Sequence, residues 1–362
     1  MQFLAPAFLG DAVQNGVWRT PPIKALWRQW WRVAYAAEHG FRVGCEQDMR
    51  HAEGLLFGHA DSDAASRSLV RLRLDRWDEG KLQAWQALPR IEHPEVKDRN
   101  TGRLKPVGAD LYLGYGPLAF VAGQTQLNKK NAAIQAGESK KNAAIQAGES
   151  ATLRLAYPEE DAELLEHALW LMDRYGTLGG RSRNGWGSFF LKPTDNVPLT
   201  GTLPLRDWQD CLDRDWPHAI GKNKQGTLIW QTTPQADWKA VMKELARIKI
   251  GLRTRFAFTT GKNAPHPEAR HWLSYPVTNH SVYAWDNYKE HGDNKKQSLR
   301  LPNSLRFKLR PAQNGQVAGV IFHVPCLPPQ GFRPQRNEIE PVWQQVHGFL
   351  DQQQPSLKRI PE

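Results

Sequence analysis

The spacing of apolar residues divides the chain into stretches of strand and of helical period. Residues 1–9 are mostly apolar and predict a first strand, and residues 10–19 a loop that ends at Thr20-Pro21-Pro22. There Thr20 suits a helix cap and Pro22 a first turn. In the helix that follows, Ile23, Trp27, Trp30 and Ala34 share one face, and Lys24, Arg28 and Arg32 form an i, i+4, i+8 stripe beside it. That stripe is either a solvated face or a phosphate-binding one. Residues 47–57 predict a second helix closed by Gly58, and residues 69–77 alternate Val70, Leu72 and Leu74 with Arg71, Arg73 and Asp75, as a half-buried strand does. A loop over 93–108, strands over 112–121 and 153–157, a helix over 159–175 and a strand over 189–191 complete this half. The helix is marked by Leu164, Leu165, Ala168, Leu169 and Met172 at helical spacing.

Pro193, Pro198, Gly201 and Pro204 mark a boundary that divides the chain into 1–195 and 196–362. Beyond it, residues 205–216 predict a helix, 227–232 a strand and 237–247 a helix with Trp238, Val241, Met242 and Leu245 inward. Strands over 304–309 and 316–324 pair across Asn314-Gly315, a strong hairpin signal. Residues 337–350 predict a closing helix. The whole reads as an α+β protein of two domains, the first with the strand and helix order of a ferredoxin-like or RRM-type unit. No aromatic RNP signature accompanies that order, so no base stacking is assigned to its open sheet face.

The helix over 159–175 runs into a loop, Gly176 to Ser188, that holds glycines at 176, 179, 180, 185 and 187, two arginines, one tryptophan and no acidic residue. Such a loop lets peptide N–H groups approach phosphates, with Arg181 and Arg183 adding charge and Trp186 a stacking face. It serves equally as an ordinary connector with solvated arginines. It is not a nucleotide-binding P-loop, since no Gly-Lys-Ser/Thr follows and the next element is a strand. A second feature is a direct repeat: residues 129–139 recur unchanged as 140–150. Two copies are too few for a solenoid. The repeat is therefore expected to be an added loop, whose Lys129, Lys130, Lys140 and Lys141 either reach a polyanion or are solvated.

Charge narrows the partners. With 48 Lys and Arg against 37 Asp and Glu, the net charge is +11, which favours polyanions, nucleic acid foremost. Residues 243–262 and 289–310 are locally basic, each either a phosphate patch or a solvated face. Cys45, Cys211 and Cys326 are far apart, and neither a disulfide framework nor a zinc site is expected. No apolar run approaches the ~20 residues of a membrane span, and a cytoplasmic location is expected. No cofactor, metal or catalytic constellation is visible. His39, His51 and His59 are the histidines a metal-free ribonuclease would draw on, but no Ser, Tyr or Lys partner pattern accompanies them.

The order helix, Gly176-Thr-Leu-Gly-Gly-Arg-Ser-Arg-Asn-Gly-Trp-Gly-Ser188, strand resembles the glycine-rich loop of the RAMP superfamily, RNA-binding proteins of CRISPR effector complexes. The stretch Pro6-Ala-Phe-Leu-Gly10, the run from Trp18 to Arg32, Glu53-Gly-Leu-Leu-Phe-Gly58 and Leu113-Gly-Tyr-Gly116 are similar to segments of the head-end RAMP subunit of type III-B (Cmr) complexes. Ala25 stands where that family usually has glycine. The resemblance implies two ferredoxin-like (RRM/RAMP-type) domains, the second degenerate. It also implies a non-catalytic subunit that contacts guide RNA, target RNA or both, and docks with other RAMP subunits in antiviral defence. The RNA-binding residues implied are Arg19, Lys24, Arg28, Arg32, Gly179, Gly180, Arg181, Ser182, Arg183, Asn184, Gly185 and Trp186, with the four repeat lysines. Two other functions stay open: a metal-independent RAMP endoribonuclease that processes guide precursors, and a protein scaffold without RNA contact.

Overall fold

The structure is a computed structural model that describes residues 1–12, 15–60, 65–98, 100–128, 143–289 and 297–361. Its first half runs β1 (Gln2–Phe3), α1 (Thr20–Glu38), α2 (Glu46–Phe57), β2 (Arg71–Leu74), α3 (Ala109–Gly114), β3 (Leu118–Val121), β4 (Gln124–Leu127), β5 (Leu153–Ala156), α4 (Ala162–Tyr175) and β6 (Phe189–Phe190). Strand β1 pairs antiparallel with β6 on one side. On its other side it meets the arm leading into β5 through antiparallel bridges Gln2 to Ser150 and Ala7 to Ile145. Strand β5 in turn pairs antiparallel with β2. The strand order β6, β1, β5 arm, β2, with α1 and α4 as the connecting helices, is a β-α-β-β-α-β succession.

The second half repeats that succession. It runs β7 (Ile229–Thr232), α5 (Trp238–Thr254), β8 (Leu305–Pro311), β9 (Val317–His323), α6 (Arg336–Asp351) and β10 (Leu357–Arg359). These four strands form one antiparallel sheet in the order β8, β9, β7, β10. Its departure from a plain unit is the insertion over 255–304, between α5 and β8, whose described residues form short elements.

Helix α1 buries Ile23, Trp27, Trp30 and Trp31, and the Trp27 indole N–H donates to the Leu165 carbonyl of α4 at 2.9 Å. The cap is Arg19, with no side-chain hydrogen bond, and Thr20 is the first helical residue. This core also takes Ile220, Ile229, Val320 and Phe322 from beyond residue 195, and the other core joins Phe8, Leu113 and Trp186 to Trp230, Met242 and Leu245. Residues on either side of 195 thus share both cores. Lys308 of β8 shows how closely. Its buried ammonium donates to the Gly176 carbonyl at the end of α4, 2.6 Å away, and lies 4.5 Å from the Phe189 ring centroid. A cation from one half so closes the carbonyl end of a helix in the other.

Two predicted elements differ in kind. Residues 112–114 belong to helix α3, because the buried Asp110 carboxylate accepts from the Trp85 indole and the Leu88 and Leu111 amides and fixes a helical turn there. Residues 205–216 open on a strand, Leu205–Asp207, which pairs parallel with Ile220–Asn223 and is followed only by a short 3₁₀ turn at Asp210–Asp213. In both places tertiary partners override local period. The first repeat copy and the start of the second, with Lys129, Lys130, Lys140 and Lys141, lie outside the described residues. The rest of the second copy supplies the edge of β1: Ile145 and Ala7 exchange both backbone hydrogen bonds, and Gly148 donates to Phe3. Among the described residues no helix is long and apolar enough to cross a membrane.

Candidate nucleic-acid interface

The glycine-rich loop folds as a turn-back structure, with the Thr177–Ser188 bridge at its base and two successive turns at its tip, Asn184 N–H to Arg181 and Gly185 N–H to Ser182. One side of it is buried and ties the two halves together. Phe307 of β8 donates its amide to the Arg183 carbonyl at 3.0 Å, and Leu309 donates to the Ser188 hydroxyl at 2.8 Å. Gly185 sits at φ +93°, and a Cβ built there would lie 3.2 Å from the Met242 sulfur and 3.3 Å from Leu309. Only glycine meets both the backbone conformation and the packing at that point.

Trp186 is fully buried among Phe8, Trp85 and Trp238. This corrects the expectation of a stacking face: the indole is a core residue, and a base has no access to it. The first-helix stripe also stands differently from the expectation. Arg28 and Arg32 both clamp the buried Glu53 of α2, at 2.7 and 2.5 Å, and Arg32 adds a second contact at 2.9 Å. Burial by itself would raise the Glu53 carboxyl, but the hydrogen bonds from the two arginines outweigh it and hold the pKa below its ordinary value. Lys24 donates to the Phe57 carbonyl and the Ser68 hydroxyl, and Arg19 to the Gly10 carbonyl. The stripe binds α1 to α2 and its flank. Its charges have protein partners before any phosphate arrives.

The outer side of the loop is different. Arg181 and Arg183 are exposed, yet surrounding protein desolvates both and lowers their pKa values. The Arg181 Nε–H donates to the Tyr115 carbonyl, and the Asn184 amide donates to the Leu113 carbonyl at 2.7 Å. The other side of Asn184 accepts from Lys249 of α5 at 2.5 Å. Burial, then the charges of Arg253 and Arg181, bring the Lys249 ammonium down to about 7. Arg300 of the insertion acts on Arg181. Arg306 of β8 is pushed to about 10 by burial and by Arg183, and its Nε has no hydrogen-bond partner. Among the described residues, no carboxylate comes within ion-pair distance of Arg181, Arg183, Lys249, Arg300 or Arg306. Arg300 and Lys249 thus neighbour Arg181, and Arg306 neighbours Arg183, so five basic residues from four segments gather around the loop.

Such a group repels itself until an anion arrives, and the missing charge is what this side of the loop can bind. Ser182, Gly179 and Gly180 lie on the same loop, but the two glycines pack against Phe8 and the Gly180 N–H donates to the Phe8 carbonyl rather than standing free for a phosphate. Sequence reasoning placed Arg181 and Arg183 and marked the two basic stretches, but did not single out Lys249, Arg300 or Arg306. One signal was present: Lys249 and Arg253 continue, four residues apart, the inward seam of Met242 and Ala246 on α5, so their stems point to protein and not to open water. The three histidines sit in separate local settings. His39 stacks on Tyr35 at 3.9 Å, His59 contacts the Ser66 hydroxyl at 2.9 Å, and His51 is exposed.

The sequence profile described as the RAMP superfamily matches residues 1–189. The chain belongs to that superfamily. Its structure is similar to the crystal structure of Cmr1 from Pyrococcus furiosus in the apo form, at 15% identity and a TM-score of 0.47, over 99% of this chain and 96% of that one. It is also similar to a chain of the type III-B Cmr-beta complex bound to cognate target RNA, at 11% identity and a TM-score of 0.45, over 95% and 98%. A second structure of that complex, with AMPPnP and in the presence of ssDNA, gives 11% and 0.43 over 96% and 100%. No curated protein sequence matches the chain.

Proposed function

We propose that this RAMP protein is a non-catalytic RNA-binding subunit of a CRISPR type III-B RNA-guided effector complex. It grips the sugar-phosphate backbone of the guide or target strand in the groove between the glycine-rich loop and the second half. The gathering of Arg181, Arg183, Lys249, Arg300 and Arg306 around the loop, with no carboxylate at ion-pair distance among the described residues, carries this reading. Membership of the superfamily supports the reading, and the motifs at 6–10, 18–32, 53–58 and 113–116 favour the head-end subunit. Guanidinium groups suit the task because they stay charged and offer forked donors to phosphate oxygens.

Binding of single-stranded RNA, measured by fluorescence anisotropy at several salt concentrations, tests the reading. The parent should bind weakly and lose affinity steeply with salt, since each phosphate contact releases counterions. Arg181→Ala with Arg183→Ala should weaken binding about equally across sequences and flatten the salt slope by about one unit for each phosphate no longer held. Thermal stability should hold, because both side chains are exposed and have like-charged neighbours. A double variant that binds RNA as the parent does makes the loop a connector between the halves and nothing more.

A further inference from the structure

With Trp186 buried, the loop itself presents no aromatic ring. One stands beside it. Tyr115 is 66% exposed, in the turn that joins α3 to β3. An exposed tyrosine is ordinary when it stands alone. This one is held by the loop on both flanks: the Asn184 amide donates to the Leu113 carbonyl, and the Arg181 guanidinium donates to the carbonyl of Tyr115 itself. Gly114 packs directly on the buried tryptophan, since a Cβ there would lie 3.0 Å from the Trp186 Nε1. On the far side Gly116 turns at φ +113°, donates to the Leu118 carbonyl and accepts from the Asn128 side chain. The ring therefore projects into water from a mount with little freedom.

We propose that Tyr115 is the base-stacking platform of the groove. An unpaired base lies on its ring, while the phosphate of the same or the next nucleotide meets Arg181, Lys249 and Arg300. The two contacts suit opposite ends of one nucleotide, because every base offers a π-face and every linkage a charge. A base in a duplex is covered by its neighbours, so the groove takes single-stranded RNA, and takes it without regard to sequence. The proposal rests on the RNA-binding reading above and names the form of RNA that the same groove accepts.

The test compares the full-length protein with Tyr115→Ala, Tyr115→Phe and the Arg181→Ala, Arg183→Ala double variant, on labelled single strands of uridine or adenosine and on a blunt duplex. Tyr115→Ala should weaken binding of both single strands about tenfold, a loss in the range of one base–aromatic stack. Its salt slope should stay that of the parent, because no phosphate contact is removed. Tyr115→Phe keeps the ring and should bind as the parent, and duplex binding should be weak and unmoved by Tyr115→Ala. If Tyr115→Ala binds single strands like the parent while the double variant does not, the stacking role is wrong and the RNA reading survives. If neither change affects binding, the RNA reading falls as well. Equal loss on duplex and single strand, with a flattened slope, would mean that Tyr115 only positions Arg181, and overturns the stacking role.

Discussion

The two halves of the molecule make the same β-α-β-β-α-β circuit, and they differ most in what stands before the last strand. In the second half α6 reaches β10 through a short polar turn, in which the Ser356 hydroxyl and the Leu357 amide both donate to Gln353. That turn closes within its own half: the Thr233 amide and Arg247 of α5, which also bond to it, belong to the second half. In the first half α4 reaches β6 through the glycine-rich loop, which gives its backbone and its tryptophan to the second half and turns its arginines outward. The same step of the circuit is a local closure in one half and an interface in the other. A loop of this kind serves binding because its inner side is anchored across two cores, so its charges are held on a fixed scaffold.

Removing that anchor should have the largest effect. Trp186→Ala deletes a fully buried indole from a cluster of Phe8, Trp85 and Trp238, and truncations of this kind cost about 3–5 kcal/mol. Ser356→Ala in the matching turn removes a hydroxyl that donates to the Gln353 carbonyl and accepts from Arg247, and should cost about 1 kcal/mol. Denaturant unfolding of the two variants gives both numbers. Similar losses in the two would mean that the halves close alike, and that the loop has no anchoring role.

The second effect is on protons. Lys249 is held near 7 in the folded protein against an ordinary 10.5, chiefly by burial and then by Arg253 and Arg181. Between those two values the unfolded chain binds a proton that the folded chain lacks, so folding stability rises as pH rises from about 7 towards 10.5. Lys308 has the same depression, from burial, and adds to the rise. Lys249→Met should therefore flatten the stability profile in this window by comparison with the parent, while the Lys308 share persists. An entering phosphate should reverse the depression, so RNA binding near pH 8 should take up protons. Calorimetry in buffers of different ionisation enthalpy measures that uptake, and its absence would place Lys249 outside the binding groove.

What the sequence made legible follows the range of the interactions. The hairpin across Asn314-Gly315 and the helix start at Pro21-Pro22 depend on neighbours in the chain, and both are where the pattern puts them. Helix α5 runs on past residue 247 because Ile248, Ile250 and Leu252 are buried, although Lys249 and Gly251 stand between them. Trp186 was misplaced because a tryptophan in a glycine-rich loop looks exposed until Phe8 and Trp238 close over it. The groove was half legible: its loop arginines carry a motif, whereas Lys249, Arg300 and Arg306 become members only when α5, the insertion and β8 come together. For the same reason no spacing rule joins Arg28 and Arg32 to Glu53.

That last ion-pair group sharpens the comparison of the loop with the first helix. Arg28→Ala should lower stability by roughly 1 kcal/mol, a value discounted because the arginine is 37% exposed and Glu53 keeps Arg32. Since the Glu53 pKa is depressed in the fold, this contribution is present above the ordinary carboxyl value of 4.5 and is lost as pH falls through the lower folded value. RNA affinity should change little. A loss of RNA binding as large as that of the loop variant would return the stripe to the binding surface.

The smallest effect should come from the repeat. Deleting residues 129–139 removes the first copy and leaves the second intact, so every contact the second copy makes with β1 remains. Those contacts are specific: Ala144 and Ile145 are fully buried, Ile145 exchanges two hydrogen bonds with Ala7, and the Glu149 carboxylate accepts from the Lys81 and Gln146 amides. Gly16 and Gly80 press directly on the backbone of Ala144 and Ile145, where a Cβ on either would come within 2.6 Å. A segment so fitted cannot be exchanged for a neighbour out of register. The deletion joins Asn128 to Lys140 and shortens only the connection, and loop closure depends weakly on length. Stability should stay within about 0.5 kcal/mol of the parent, and RNA affinity should hold if the groove, rather than the repeat lysines, takes the phosphates. A large fall in affinity with stability unchanged would move Lys129 and Lys130 into the interface. A fall in stability would mean that the first copy, and not only the second, supports the edge of β1.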